Sequence, residues 1–105
     1  MQVTLKDVAG VIRSKNAGPF ELTLDVLLKD QEVFEKMREA DIINTKVIAQ
    51  LYKIPEEDVL SIVYFPNALA IKATIVRPLP SGAMGERDVY GAQQHGPLVN
   101  FAFEI

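Results

Sequence analysis

Near the C-terminus of this 105-residue chain, Tyr90, Gln93, Gln94 and His95 place a phenol, two amides and an imidazole within six positions. Between Gly82 and Pro97 lie four of the six glycines and the one histidine of the chain. Polar side chains with several functional groups on glycine-hinged backbone are what a binding or catalytic loop requires. A plain linker of that length would be rich in Ser, Lys and Glu. Imidazole is the side chain best matched to proton transfer near neutral pH. The Gln amides suit the orientation of carbonyls or carboxylates rather than proton chemistry. No Ser or Cys nucleophile stands in a motif beside His95, and a metal there would need ligands from elsewhere. Asp88 with His95 is the one local acid–base or metal pair, and it completes no set. The bland alternative is a self-bonded structural loop. A structureless stretch this long in a small domain favours binding.

Two further clusters offer cations. Arg13, Ser14, Lys15 and Asn16 supply a guanidinium, a hydroxyl, an ammonium and an amide just before Gly18. Together with free backbone N–H groups they suit a carboxylate or phosphate. Placed after a helix, they would meet the negative end of its dipole, so the plainer reading is a basic C-cap followed by a turn. The phosphate-loop pattern GxxxxGK[ST] is missing. Lys72 is strand-borne. It can pair with Asp25 across a sheet, hold an anion, or act as a base if desolvation lowers its pKa. Arg77, before Pro78, leads out of that strand toward the glycine-rich loop. These residues name no cofactor and give no metal set.

The elements that must position these groups follow from periodicity. Thr4 and Asp7 resemble a capping box, and Leu5, Val8, Ala9 and Ile12 recur on one helical face. A first helix ending near Arg13 is expected, stopped by Asn16, Gly18 and Pro19. Phe20, Leu22, Leu24, Val26 and Leu28 alternate with Glu21, Thr23 and Asp25, the pattern of a strand with one buried face. Asp30 and Asn44 can cap two helices, with stripes Val33, Phe34, Met37, Ala40 and Val47, Ile48, Leu51, Tyr52. Pro55 closes the second. Val59 to Phe65 and Leu69 to Arg77 form a hairpin around Pro66-Asn67. Leu98 to Ile105 is a last strand. The sum is a single α+β domain over residues 1–105. It has a mainly antiparallel sheet of about four strands, with helices on one face and Glu21, Thr23, Asp25, Lys72, Thr74 and Asn100 on the other.

Composition sets bounds. Hydrophobic residues make up 49% and charged residues 24%, which excludes a disordered chain. Cysteine is absent, so disulfides, thiolate metal sites and thiol catalysis are excluded, in keeping with a cytoplasmic protein. No apolar run is long enough to cross a bilayer, and the N-terminus lacks a signal-peptide layout. Net charge is −3, which gives no electrostatic support for nucleic-acid binding. Residues 29–58 hold eight acids against five bases, so the acidity belongs to the helical segment. Arg13, Lys15, Lys72 and Arg77 lie outside it and can form a local positive site.

Three blocks of residues resemble domain of unknown function 4387. They are Val11 to Asp25, Ile71 to Thr74 with Arg77-Pro78, and Asp88 to His95 with Pro97-Leu98. The resemblance implies a small protein encoded beside, or fused to, a larger one similar to the acyclic terpene utilisation family. It also implies an accessory subunit or module of a two-part enzyme in organic-acid or acyl-CoA catabolism. It brings no catalytic residue with it. The residues themselves suggest anion binding through Arg13, Ser14, Lys15, Asn16, Arg77, Tyr90, Gln93 and Gln94. His95 and Lys72 are the acid–base candidates for lyase or hydro-lyase chemistry on a small-molecule carboxylate. Two alternatives stay open: an independent small enzyme using Lys72 or His95, and a non-catalytic interaction domain. A homo-oligomer is compatible with a polar sheet face.

Overall fold

The computed structural model describes residues 2–18, 20–76 and 96–105. The first elements are β1 (Gln2–Thr4), a single-turn helix α1 (Leu5–Val8), β2 (Ala9–Asn16) and β3 (Glu21–Leu28). Two helices follow, α2 (Gln31–Glu39) and α3 (Thr45–Tyr52), and then the hairpin strands β4 (Val59–Phe65) and β5 (Ala70–Val76). The C-terminal part adds a helical turn, α4 (Gly96–Val99), and β6 (Ala102–Glu104).

Four strands form an antiparallel sheet in the order β2-β3-β5-β4, and β1 pairs with β6 in a separate two-stranded sheet. The alternation along β3 does what its period requires. Leu22, Leu24, Val26 and Leu28 are buried, and Ile71, Ala73 and Ile75 of β5 join them. Phe34 and Met37 of α2 and Ile48 of α3 complete the same core, with Leu5, Leu98 and Phe103 from the small sheet and its neighbouring turns. Burying each large apolar side chain contributes roughly 1.5–3 kcal/mol, so this layer dominates the stability. The helices thus cover one face of the sheet, and the α+β architecture is as expected. Among the described residues, no helix is long and apolar enough to cross a membrane.

Side chains close the helix ends. The Asp30 carboxylate accepts from the Glu32 N–H at 2.7 Å, and the Asn44 side-chain oxygen accepts from the Val47 N–H at 2.9 Å. At the C-terminus of α3, Lys53 takes the left-handed conformation (φ 56°) usually given to Gly. Tyr64 of β4 reaches the connection between α2 and α3. Its hydroxyl accepts from the Ile43 N–H at 3.1 Å and donates to the Ile43 carbonyl at 2.9 Å. Burial pushes the Tyr64 phenol above its ordinary pKa, and its ring meets Phe34 edge-on.

The expected first helix is corrected. Thr4 and Asp7 do bond, with the Thr4 N–H and hydroxyl both donating to the Asp7 carboxylate at 3.0 and 2.7 Å. The hydroxyl first, and then the N–H, hold that carboxyl below its usual range. The helix nevertheless stops at Val8, and Ala9–Asn16 is a strand paired to β3. β-branched Val11 and Ile12 favour the pleat, and seven paired residues outweigh the helical spacing of four apolar side chains. The last strand is shortened likewise. Leu98 and Val99 lie in α4, and only Ala102–Glu104 is extended. That strand joins β1, so Asn100 is not on the four-stranded sheet. Phe20, expected on the buried face, lies before β3 and is 60% exposed. Ala40 is exposed as the C-cap of α2 rather than part of its apolar stripe.

Two substitutions test these readings by chemical denaturation. Lys53→Gly relieves a left-handed non-glycine residue and should raise stability by about 1 kcal/mol. Tyr64→Phe leaves both backbone groups of Ile43 without their partner and should lower it by roughly 1–3 kcal/mol. An unchanged midpoint for Tyr64→Phe would show that solvent satisfies Ile43 instead.

Candidate functional site

Single-residue bulges decide what the sheet displays on the face opposite the helices. Ala9 pairs with Leu28 but Val11 pairs with Leu27, so Gly10 is an extra residue in β2. That insertion turns Val11, Arg13 and Lys15 to the face opposite buried Ala9. In β4 the register shifts in the same way between Val59 and Ser61, which turns Ser61, Val63 and Phe65 outward. β3 contributes Asp25 and Leu27 to this face, and β5 contributes Ala70, Lys72 and Thr74.

Cross-strand register then sorts these residues into rows. Arg13, Asp25, Lys72 and Val63 form one row, each the direct partner of the next. To one side lies an apolar row of Val11, Leu27, Ala70 and Phe65. On the other side lie Lys15, Thr23, Thr74 and Ser61. A groove of about 450 Å³ runs over the first two rows and reaches Lys15 of the third, with Arg13, Lys15, Asp25 and Lys72 on its charged side. Leu27, Ala70 and Phe65 line its apolar side, and Asn67 and Ala68 of the β4–β5 turn close that end. The volume falls within the roughly 300–1,000 Å³ usual for small-molecule sites.

Asp25 is the acid among the lining residues. Its carboxylate oxygen accepts from Arg13 Nε at 3.2 Å, and its side chain is 14% exposed against 59% for Arg13. Lys72 stands opposite Asp25 in register, yet the ion pair to Asp25 comes from Arg13 on the other flank. Thr23 is 6% exposed although it lies on the outer face, and its hydroxyl donates to the Lys15 carbonyl at 3.2 Å. Among the described residues that line the groove, three cations stand against one carboxylate, in a chain of net charge −3. Such a surface can hold an anion through a guanidinium fork and ammonium donors.

The structure brings Arg13, Lys15 and Lys72 together. It separates Ser14 and Asn16 from them, because Ser14 pairs with Leu24 and Asn16 with Leu22 on the helix-covered side, where Ser14 is buried. The expected basic turn is therefore a strand, and only its alternate residues reach the groove. Arg77, Tyr90, Gln93, Gln94 and His95 lie outside the described residues. Among the described residues, no group of three or more His, Asp or Glu is placed to hold a metal. Leu27, Phe65, Asn67 and Ala70 were not expected at a site. The nearly unbroken apolar run of β4, with Ser61 its one polar residue, is a sequence signal for an apolar outer face at Phe65.

A family model described as Domain of unknown function (DUF4387) matches residues 5–102, and the chain belongs to that family. No curated protein and no solved structure matches the chain.

The charge arrangement makes a prediction of opposite signs for binding and stability. Asp25→Asn releases Arg13 and should tighten binding of a monocarboxylate about fivefold. The same change should cost at most about 1 kcal/mol of stability, since Arg13 is largely exposed. Titration and thermal melting of the one variant read both. Weaker binding would mean that Asp25 does more than neutralise Arg13.

Proposed function

We propose that this DUF4387 family member is a carboxylate-binding small subunit or module of a two-component catabolic enzyme. The observation that carries the reading is the grouping of Arg13, Lys15 and Lys72 about Asp25 in one open groove. A carboxylate anchored there gains charge-assisted hydrogen bonds from the cations freed of Asp25. Lyase or hydro-lyase chemistry suits such an anchor, because it needs an acid, a base and a held carboxylate rather than a nucleophile. Lys72, inside the groove, is the acid–base candidate of the sheet, and His95, outside the described residues, is the other.

The groove is a shallow feature of the sheet face opposite the helices, with Val11, Val63 and Phe65 exposed alongside the cations. A larger catalytic protein, similar to the acyclic terpene utilisation family, would cover that face and supply the rest of the site. A free acid or an acyl-CoA would both present the anionic group. The independent-enzyme reading uses Lys72 or His95 as acid or base, and it requires turnover without any partner.

Co-expression of the chain with its larger genomic neighbour, affinity capture and assay on hydroxy acids and enoates tests the proposal. The chain alone should bind carboxylate without turning it over, and the captured complex should be active. Arg13→Ala and Lys72→Ala should each weaken carboxylate binding about tenfold or more while the melting temperature of the chain stays within a few degrees. Turnover by the chain purified away from every larger protein would shift the conclusion to the independent enzyme. Undiminished binding in both variants would remove the groove from the argument.

A further inference from the structure

The lining of the groove is asymmetric about its charged row. Toward Lys15 it ends at once, because Thr23, Thr74 and Ser61 are not part of it. Away from Lys15 it continues over Leu27, Ala70 and Phe65 to the turn at Asn67 and Ala68. Partnered residues two apart along a strand are separated by about 7 Å, so the apolar row lies one short hydrocarbon chain from the cations. Ala70 pairs with Leu27 on one side and with Phe65 on the other. A methyl group between two long side chains leaves a dip in the sheet surface, and Phe65 remains 43% exposed as one wall of it.

We infer that the ligand is amphipathic: a monocarboxylate whose head meets Arg13 and Lys72 and whose hydrocarbon body lies over Ala70 between Leu27 and Phe65. This rests on the carboxylate reading above and adds the other half of the molecule. A second charge on the ligand would lie over Leu27 and Ala70 and lose hydration without a cation to compensate it. A hydrocarbon body instead removes apolar surface of both partners from water.

The test is an NMR titration of the isotope-labelled full chain with acetate, butanoate, hexanoate, succinate and hexylammonium. Affinity should rise about fourfold for each added methylene from acetate to hexanoate. The amide shifts should spread from Arg13 and Lys72 to Leu27, Ala70 and Phe65, and hexylammonium should not bind. Ala70→Leu fills the dip and should abolish the gain with chain length. Phe65→Ala, at an exposed position, should reduce the gain by an independent route. Equal affinity for acetate and hexanoate, with shifts still centred on Arg13 and Lys72, would overturn the amphipathic ligand and leave the anion site standing. Tighter binding of succinate, with shifts toward Lys15 and Thr74, would overturn it as well. If no carboxylate shifts any of these amides, both readings fall.

Discussion

A one-residue slip of β3 against its neighbours would turn Leu22, Leu24, Val26 and Leu28 toward water and Asp25 into the core. Register is the constraint on which the other features depend. The energies show what enforces it. Four buried aliphatic side chains are worth roughly 1.5–3 kcal/mol each, whereas an exposed ion pair such as Arg13–Asp25 is worth about 1 kcal/mol or less. The core therefore sets the register, and the charged row is its consequence. The bulges at Gly10 and Leu60 fit the edge strands to that register. Each adds one residue, so that Ala9 and Val59 can face inward while Arg13 and Phe65 face out.

That order of causes explains which features were legible in the sequence. The alternation of β3, the hairpin around Pro66-Asn67 and the caps at Asp30 and Asn44 are local signals, and the fold follows them. Ala9–Asn16 was misread because Leu5, Val8, Ala9 and Ile12 mimic a helical face. Only Leu5 and Val8 lie in the helical turn, and the rest of the segment is decided by a partner strand that starts at Glu21. β1 and β6 have three residues each, too few to show a period. The site was legible as residue types but not as a place. Arg13, Lys15 and Lys72 stood out as cations in acid-poor surroundings. Their meeting depends on β2 and β5 flanking β3, and a pairing across more than forty residues leaves no local trace. The apolar row was less visible still, since Leu27 and Ala70 acquire their role only as direct partners.

The sheet also divides the charge of the protein. The helical segment carries the excess acid, and its own cations are partly committed within the helix: Lys36 pairs with Glu32, and Arg38 pairs with Glu35 while lying over the Phe34 ring. The opposite face carries the groove cations. An anion approaching from solvent therefore meets a field that favours one side of a molecule whose net charge would repel it. At physiological ionic strength, screening over about 8 Å confines that preference to the neighbourhood of the groove.

An open groove of this kind has a limited strength when alone. Two unit charges about 4 Å apart attract by about 1 kcal/mol in bulk water and about 4 kcal/mol at the effective dielectric typical near a protein surface. A carboxylate on Arg13 and Lys72, as proposed, would therefore be held only modestly on a face open to solvent. A protein laid over Val11, Val63 and Phe65 would exclude water from the charged row and bury exposed apolar surface at the same time. Covering the face and holding the ligand would then favour one another, because each is more favourable once the other has occurred. On the proposed reading, that coupling would give a physical reason for a small domain to offer half of a site: the core fixes the cations in place, and a covering partner would set their affinity.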